Sequence, residues 1–488
     1  MKNILSKLKK INLKKLSCCT LVVLLFFGFF AKMNYTTDTY SVIADDPNGI
    51  FHNFIKCGRF LTAISFKVLL VLHVPIRIAY LLSFVVAVIS LIATIYLLEE
   101  LIHKWKVTRN GYLSLLLSIA ILINPFSIEL FFYIEKGIMV MSLLFDVLGA
   151  IYLSKYLDNK KNKSNLLFSF IMMCFAACTY QGTMGLFIAL ATIDIISRKD
   201  PIGSFTKNTL LSGFLYAIPA LLDIVVIKIL ANDGRINGEI VLLESVKKII
   251  IGAVKMLKMC DIFPYQILLV LLVICASVGI YSASTKNAKV KTAISILWAT
   301  LVVFIASLAP QIIQSTNSIW IVPRVIYVWA SLFPIICSII SFCNKKKKVR
   351  YVMTASVLCF LLISYFSFAN IITDNYSLNS LDRNKAKEIL SEISNYEADS
   401  GLEVRAVTFA TDQHPLYSYE GIPTFGDMNV SAFYTSWSDV SILNYYSGKG
   451  YYAGENEEFK EECEKKDYSE SDGLQLSFKN NEALICLF

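Results

Sequence analysis

Two adjacent acids, Asp45 and Asp46, stand before the turn-forming run Pro47-Asn48-Gly49, and Gly58-Arg59 follows a short way along the same polar stretch. A carboxylate just above a membrane can take the proton of an attacking hydroxyl while a sugar leaves a lipid phosphate. One base is enough for an inverting transfer, because the phosphate departs without strong protonation. Arg59 and Arg324, the latter directly after Pro323, offer the planar fork of donors that suits a phosphate. Each residue also has a plainer reading. Asp-Asp-Pro-Asn-Gly is ordinary turn chemistry, and an Arg beside a bilayer can simply anchor on headgroups or snorkel.

A second group of candidates lies among apolar neighbours. Glu129, Glu135 and Lys136 flank Phe131-Phe132-Tyr133, where a charge is costly unless it is paired or used. Tyr180-Gln181 forms a short turn in which an aromatic ring and an amide could meet a sugar, although an interfacial Tyr is also expected from the aromatic belt alone. Asp146, Asp194 and Asp223 fall inside apolar runs. Asp194, near an inner end, reads as solvated, whereas Asp146 and Asp223 suggest a polar interior or ion pairs and would suit a transporter. Asp412, Asp427 and Asp439 show no metal-ligand spacing, so no protein-bound metal is expected; no cofactor is indicated, and help from a divalent cation is left open. The 12 cysteines have no regular framework. Most read as small core residues, and for Cys463 and Cys486 pairing is left open.

These residues must be positioned by helices in lipid. The chain has 488 residues, 56% of them hydrophobic and only 17% charged, which excludes an ordinary soluble enzyme. The formal charge of +9 gives no reason to invoke nucleic acid, because the lysines gather in short connectors between apolar runs. A helix needs about 20 apolar residues to cross the hydrocarbon core. Windows of that size mark eleven candidates: 16–33, 79–99, 112–131, 137–155, 165–179, 182–197, 207–231, 264–283, 291–313, 321–343 and 350–371. The fifth and sixth are the weakest. The first is kept as a span because Ala31-Lys32-Met33 is not a leader-cleavage pattern.

If every span alternates, six basic connectors fall on one side: Lys2 to Lys15, His103 to Lys106, Lys160 to Lys163, Arg198-Lys199, Lys286 to Lys291 and Lys345 to Arg350. The positive-inside rule makes that side the cytoplasm. The outer face then collects Asn34 to Arg77, Asn124 to Lys136, Tyr180 to Gly182, Ala231 to Tyr265 and Gln311 to Arg324. Phe60 to Val74, too short and too charged to span, reads as an interfacial helix. From Thr373 the composition turns polar. A helical pattern over Leu381 to Ile393 and a strand-like run over Glu403 to Phe409 predict a small α/β unit. The expected organisation is an all-α membrane domain over 1–372 with an outer first loop at 34–78, followed by an extracytoplasmic domain over 373–488.

Asp45, Asp46, Gly58 and Arg59, the Tyr180-Gln181 turn, Pro323-Arg324 and the tail opening Leu381-Asp382-Arg383-Asn384-Lys385-Ala386 together resemble the Gtr-type glucosyl transferase family, polytopic enzymes of the GT-C class. The likeness covers nearly the whole chain as a loose pattern of loops. It implies transfer of glucose or a related hexose from a polyprenyl-phosphate donor to a cell-surface polysaccharide at a bacterial plasma membrane. It also implies a first-loop acid, Asp45 or Asp46, as base and Arg59 and Arg324 on the donor phosphate, with weaker support for Glu135 and Lys136. Two other readings share parts of this pattern: a lipid-linked-sugar flippase or transporter, and a polysaccharide polymerase or ligase. Sugar, acceptor and oligomeric state are not legible.

Overall fold

A computed structural model of the chain describes residues 12–44, 47–105, 111–231, 239–258, 264–283, 285–312, 314–344, 346–412, 417–466 and 473–488. It divides into two compact units, one of Met1–Ala31 with Phe51–Phe368 and one of Lys32–Ile50 with Ala369–Phe488.

The larger unit is helical, as apolar sequence in lipid must be, since only a helix or a closed barrel satisfies its own backbone there. Six described helices are long and apolar enough to cross a membrane: Leu13–Ala31, Ile76–Lys104, Lys136–Asp158, Ile202–Leu230, Lys286–Ile312 and Lys347–Ser400. Five shorter apolar helices accompany them: Phe60–Val71, Tyr112–Leu122, Lys163–Thr179, Tyr265–Tyr281 and Leu332–Cys343. Pro75 and Pro201 stand immediately before two of the long helices. Each proline caps its helix: its carbonyl accepts an N–H of the first turn at 2.9 Å, and the residue before a proline is held out of the helical region, so the helix does not extend backwards. Gly185–Arg198, on one of the two weakest windows, is buried at every residue from Gly185 to Ile195. A helix buried on every side in this way belongs at the centre of a bundle. Gly137 allows Lys136–Asp158 to approach Ile76–Lys104 closely: its N–H donates to Ser83 Oγ at 2.9 Å, and a Cβ there would lie 2.7 Å from the Ser83 carbonyl oxygen.

Polar contacts within this unit segregate by connector. Lys15 pairs with Glu99 at 2.7 Å, Lys104 with Asp158 at 2.5 Å, and Arg198 with Asp158 and Asp194, both at 2.9 Å. All of these residues lie in or beside the basic connectors. Asp194 is therefore not solvated as its position suggested. It is buried, and it accepts hydrogen bonds from Trp105 Nε1 at 2.8 Å and Ser154 Oγ at 2.9 Å in addition to its ion pair. The less basic connectors meet one another in the same way, and they build the site described below.

Two features of the larger unit differ from expectation. Phe60–Val71 ends earlier than the predicted interfacial helix, with His73 in the left-handed region at φ 49°. The connector from Ala231 to Tyr265 contains an unforeseen amphipathic helix, Leu242–Lys258. Its inner face carries Ser245, Ile249, Ala253 and Met256, and Leu243, Ile250, Ile251 and Val254 stay exposed.

The smaller unit carries a four-stranded sheet in the order β2-β1-β4-β3, with β1 Ala406–Thr411, β2 Tyr452–Ala453, β3 Leu474–Lys479 and β4 Glu482–Leu487. β1 runs parallel to both neighbours, while β3 and β4 form an antiparallel hairpin through a turn with Asn480 at φ 56°. Ala483 through Leu487 of β4 are all buried, as a strand inside the sheet requires, and β3 alternates along its length. The core includes Tyr40, Ile389, Ile393, Val407, Phe433 and Leu443. Cys463, in the helix Glu457–Glu464, is disulfide-bonded to Cys486 in β4, which answers the pairing that the sequence left open.

The expected division at 372/373 does not coincide with these units. The polar unit begins at Ala369 and also takes in Lys32–Ile50 from the first loop. Nor is Leu381 to Ile393 a separate helix: Lys347–Ser400 runs unbroken for 54 residues. It contains no Gly or Pro, so a change of solvent along it meets no backbone reason to stop. Gly401, left-handed at φ +72°, ends it. The predicted strand over Glu403 to Phe409 is displaced to Ala406–Thr411.

Candidate functional site

In the larger unit a cavity of about 100 Å³ is walled by Lys56, Arg59, Tyr180, Gln181, Asp223 and Gln311, among others. These come from connectors and helix ends that are remote in sequence. Gly58 makes the assembly possible. It sits at φ +72°, and a Cβ there would fall 2.5 Å from Gln181 Nε2 and 2.6 Å from Asp223 Oδ2. Only glycine fits both the conformation and the space.

Arg59 follows in the turn before Phe60–Val71. Its Nη1 donates to Glu135 Oε1 at 3.1 Å, and its guanidinium lies 5.0 Å from the Tyr180 ring centre, within cation–π range. Gln181 Nε2 donates to Asp223 Oδ2 at 2.7 Å and faces the carbonyls of Gly58 at 3.1 Å and Cys57 at 3.3 Å. One amide thus ties the first polar connector, the Tyr180 turn and the helix Ile202–Leu230 together.

Arg324 lies deeper. Its Nη1 donates to Glu129 Oε1 and to Tyr133 OH, both at 2.6 Å, and its backbone N–H donates to Glu129 Oε2, also at 2.6 Å. Its guanidinium is 4.5 Å from the Tyr133 ring centre. The Arg324 carbonyl packs on the same turn, since a Cβ on Gly182 would stand 2.8 Å from it. Lys136 is fully buried with its Nζ 3.2 Å from the centre of the Tyr80 ring.

Arg59, Glu135, Tyr180 and Gln181 are therefore brought together, with Arg324 adjacent and Lys136 packed among aromatic rings. Asp45 and Asp46 lie outside the described residues. Lys56, Asp223, Gln311 and Gln314 also line the cavity, and the sequence did not single them out for it. Asp223 stood out only as a charge in an apolar run. Its closeness to the outer end of its helix, on the same expected face as Tyr180-Gln181, was the available signal. Asp146, the other acid that suggested a polar interior, lies near Thr183 and not among the cavity residues.

Chemically, the cavity combines two cationic side chains, an aromatic ring, carboxamides and one carboxylate, a set that can hold an anion next to a polar uncharged group. Among the described residues, no group of three or more His, Cys, Asp or Glu side chains gathers as a protein-bound metal would require. No family model, curated protein or solved structure matches the chain.

Proposed function

We propose that this chain is a membrane glycosyltransferase of GT-C type, moving glucose or a related hexose from a polyprenyl-phosphate carrier to a cell-surface polysaccharide. In this reading about eleven helices span a bacterial plasma membrane, the N-terminus is cytoplasmic and the polar unit is extracytoplasmic. Asp45 or Asp46 takes the proton of the acceptor hydroxyl, that oxygen bonds to the anomeric carbon, and the carrier leaves as polyprenyl phosphate. Arg59 holds the phosphate, with Arg324 behind it bracing Glu129 and the Tyr180 turn.

The observation that carries the proposal is the meeting of four connectors that alternation assigns to one face. Lys56 to Arg59, Tyr180 to Gly182 and the stretch from Gln311 supply residues that line one cavity, and the fourth connector backs them by pairing Glu135 with Arg59 and Glu129 with Arg324. A carrier whose tail dissolves only in lipid and whose head is polar must react at such an interface, and holding both substrates there lowers the entropic part of the barrier. The inner connectors are too short to form a nucleotide-sugar domain.

The transporter reading needs Asp146 and Asp223 on one passage, and only Asp223 lines the cavity. A polymerase or ligase would share the location and the carrier, and product analysis separates it. The decisive test is mass analysis of surface glycan from cells with and without the chain, where loss of one hexose per repeat is expected. In membranes supplied with polyprenyl-phosphate-glucose, the Asp45→Asn/Asp46→Asn double variant should lose transfer. Full transfer by that variant removes the proposed base, and an unchanged glycan removes the function.

A further inference from the structure

Among the described residues, three that line the cavity have a buried oxygen with no hydrogen-bond partner: Asp223 Oδ1, Gln311 Oε1 and Gln314 Oε1. Leaving a buried polar group unmade costs roughly 1–3 kcal/mol, so three acceptors around one hole point to a ligand that brings donors. Asp223 is the most informative of them. Its Oδ2 accepts from Gln181 Nε2 at 2.7 Å, while Oδ1 is buried with no donor among the described residues. A carboxylate accepts only, whereas the two carboxamides can serve a hydroxyl with either end.

We infer that Asp223, with Gln311 and Gln314, forms a subsite that reads the ring hydroxyls of the carrier-linked sugar. This rests on the glycosyltransferase reading and adds the group that distinguishes a sugar-bearing carrier from a bare one. The placement suits the substrate's covalent order. Arg59 lines the same cavity, so a phosphate on its guanidinium puts the attached sugar against Asp223 and the carboxamides. Hydroxyl donors suit this cavity better than a metal cation, because Lys56 and Arg59 line it and Asp223 is the one carboxylate in its lining. Sites that hold divalent cations commonly gather more oxygen ligands and more negative charge.

The test measures binding of polyprenyl phosphate and of polyprenyl-phosphate-glucose to the purified full-length chain in nanodiscs. Wild type should prefer the glucosylated carrier. Asp223→Asn should erase that preference by lowering affinity for the glucosylated carrier about 10- to 100-fold, the scale of a lost hydrogen bond to a charged group. Gln311→Leu/Gln314→Leu should lower it several-fold, and this pair keeps the inference testable if the Asp223 variant misfolds. An undiminished preference in both variants overturns the subsite. So does an equal loss for both carriers, which would mark Asp223 as structural. So does a preference abolished by chelator and restored by magnesium, which would mark a cation site. If wild type binds neither carrier and transfers nothing, the glycosyltransferase reading itself fails. If wild type transfers glucose while binding both carriers equally, only the subsite fails.

Discussion

Glu129 receives the Arg324 guanidinium on one oxygen and the Arg324 backbone N–H on the other, with the acid fully buried and the guanidinium nearly so. Removing one partner of a buried pair strands the other charge at a cost of about 3–5 kcal/mol, whereas removing both costs less. Glu129→Ala should therefore lower resistance to thermal unfolding in detergent by more than the Glu129→Ala/Arg324→Ala double variant does. The reverse order would show the pair to be dispensable. Glu129 was legible as an expensive charge in apolar surroundings, and Arg324 as a phosphate-binding or snorkelling cation. Their pairing was not, because 195 residues separate them and nothing local encodes such a contact. In the polar unit, burial pushes the Asp439 carboxyl from 3.8 up to about 6, with the Val440 N–H and Lys460 pulling against it. The folded unit then keeps a proton that the unfolded chain releases. The stability this acid contributes is complete below pH 3.8 and is lost as pH rises through 6. The expected loss is at most about 3 kcal/mol. Hydrogen exchange over 369–488 should show the wild type losing protection between pH 4.5 and 7 relative to Asp439→Asn, and parallel profiles would refute the assignment.

At the scale of elements, apolar run length locates most of the helices, because it follows directly from the energetics of lipid, although windows 112–131 and 321–343 hold the shorter helices Tyr112–Leu122 and Leu332–Cys343. Amphipathic and continuous elements are harder to read. Leu242–Lys258 was hidden because its charges break any hydropathy window, although Ser245, Ile249, Ala253 and Met256 recur at helical spacing. The end of the apolar window near residue 371 looked like the end of a helix, but only Gly401 supplies a stop. Helix spacing offers a direct test. Because a Cβ at Gly137 would press on the backbone oxygen of Ser83, Gly137→Ala must push Lys136–Asp158 away from Ile76–Lys104. Overpacking of this kind costs about 1–3 kcal/mol. It also shifts Glu135, two residues away and bonded to Arg59, so carrier binding should weaken together with the melting temperature. A variant with wild-type melting and binding would mean that the close approach does not position the site.

For the whole molecule, the proposed threading makes two separable demands, one on charge and one on redox compartment. The basic connectors belong in the cytoplasm, and the bonded pair Cys463–Cys486 belongs where disulfides persist, outside it. Closing a loop with a sequence separation of 23 contributes on the order of 3 kcal/mol. Reductant should therefore lower the melting temperature of the polar unit, and Cys463→Ser/Cys486→Ser should melt low with or without it. In a background lacking the other cysteines, Lys161→Cys and Trp437→Cys place a single thiol at exposed positions in a basic connector and in the polar unit. A membrane-impermeant maleimide applied to intact cells should label position 437 at once and position 161 only after permeabilisation. Labelling of both before permeabilisation, or of 161 alone, would put the two regions on the wrong sides. The first polar connector would then lose its outer position, and Arg59 could not meet a carrier at the far surface of the bilayer.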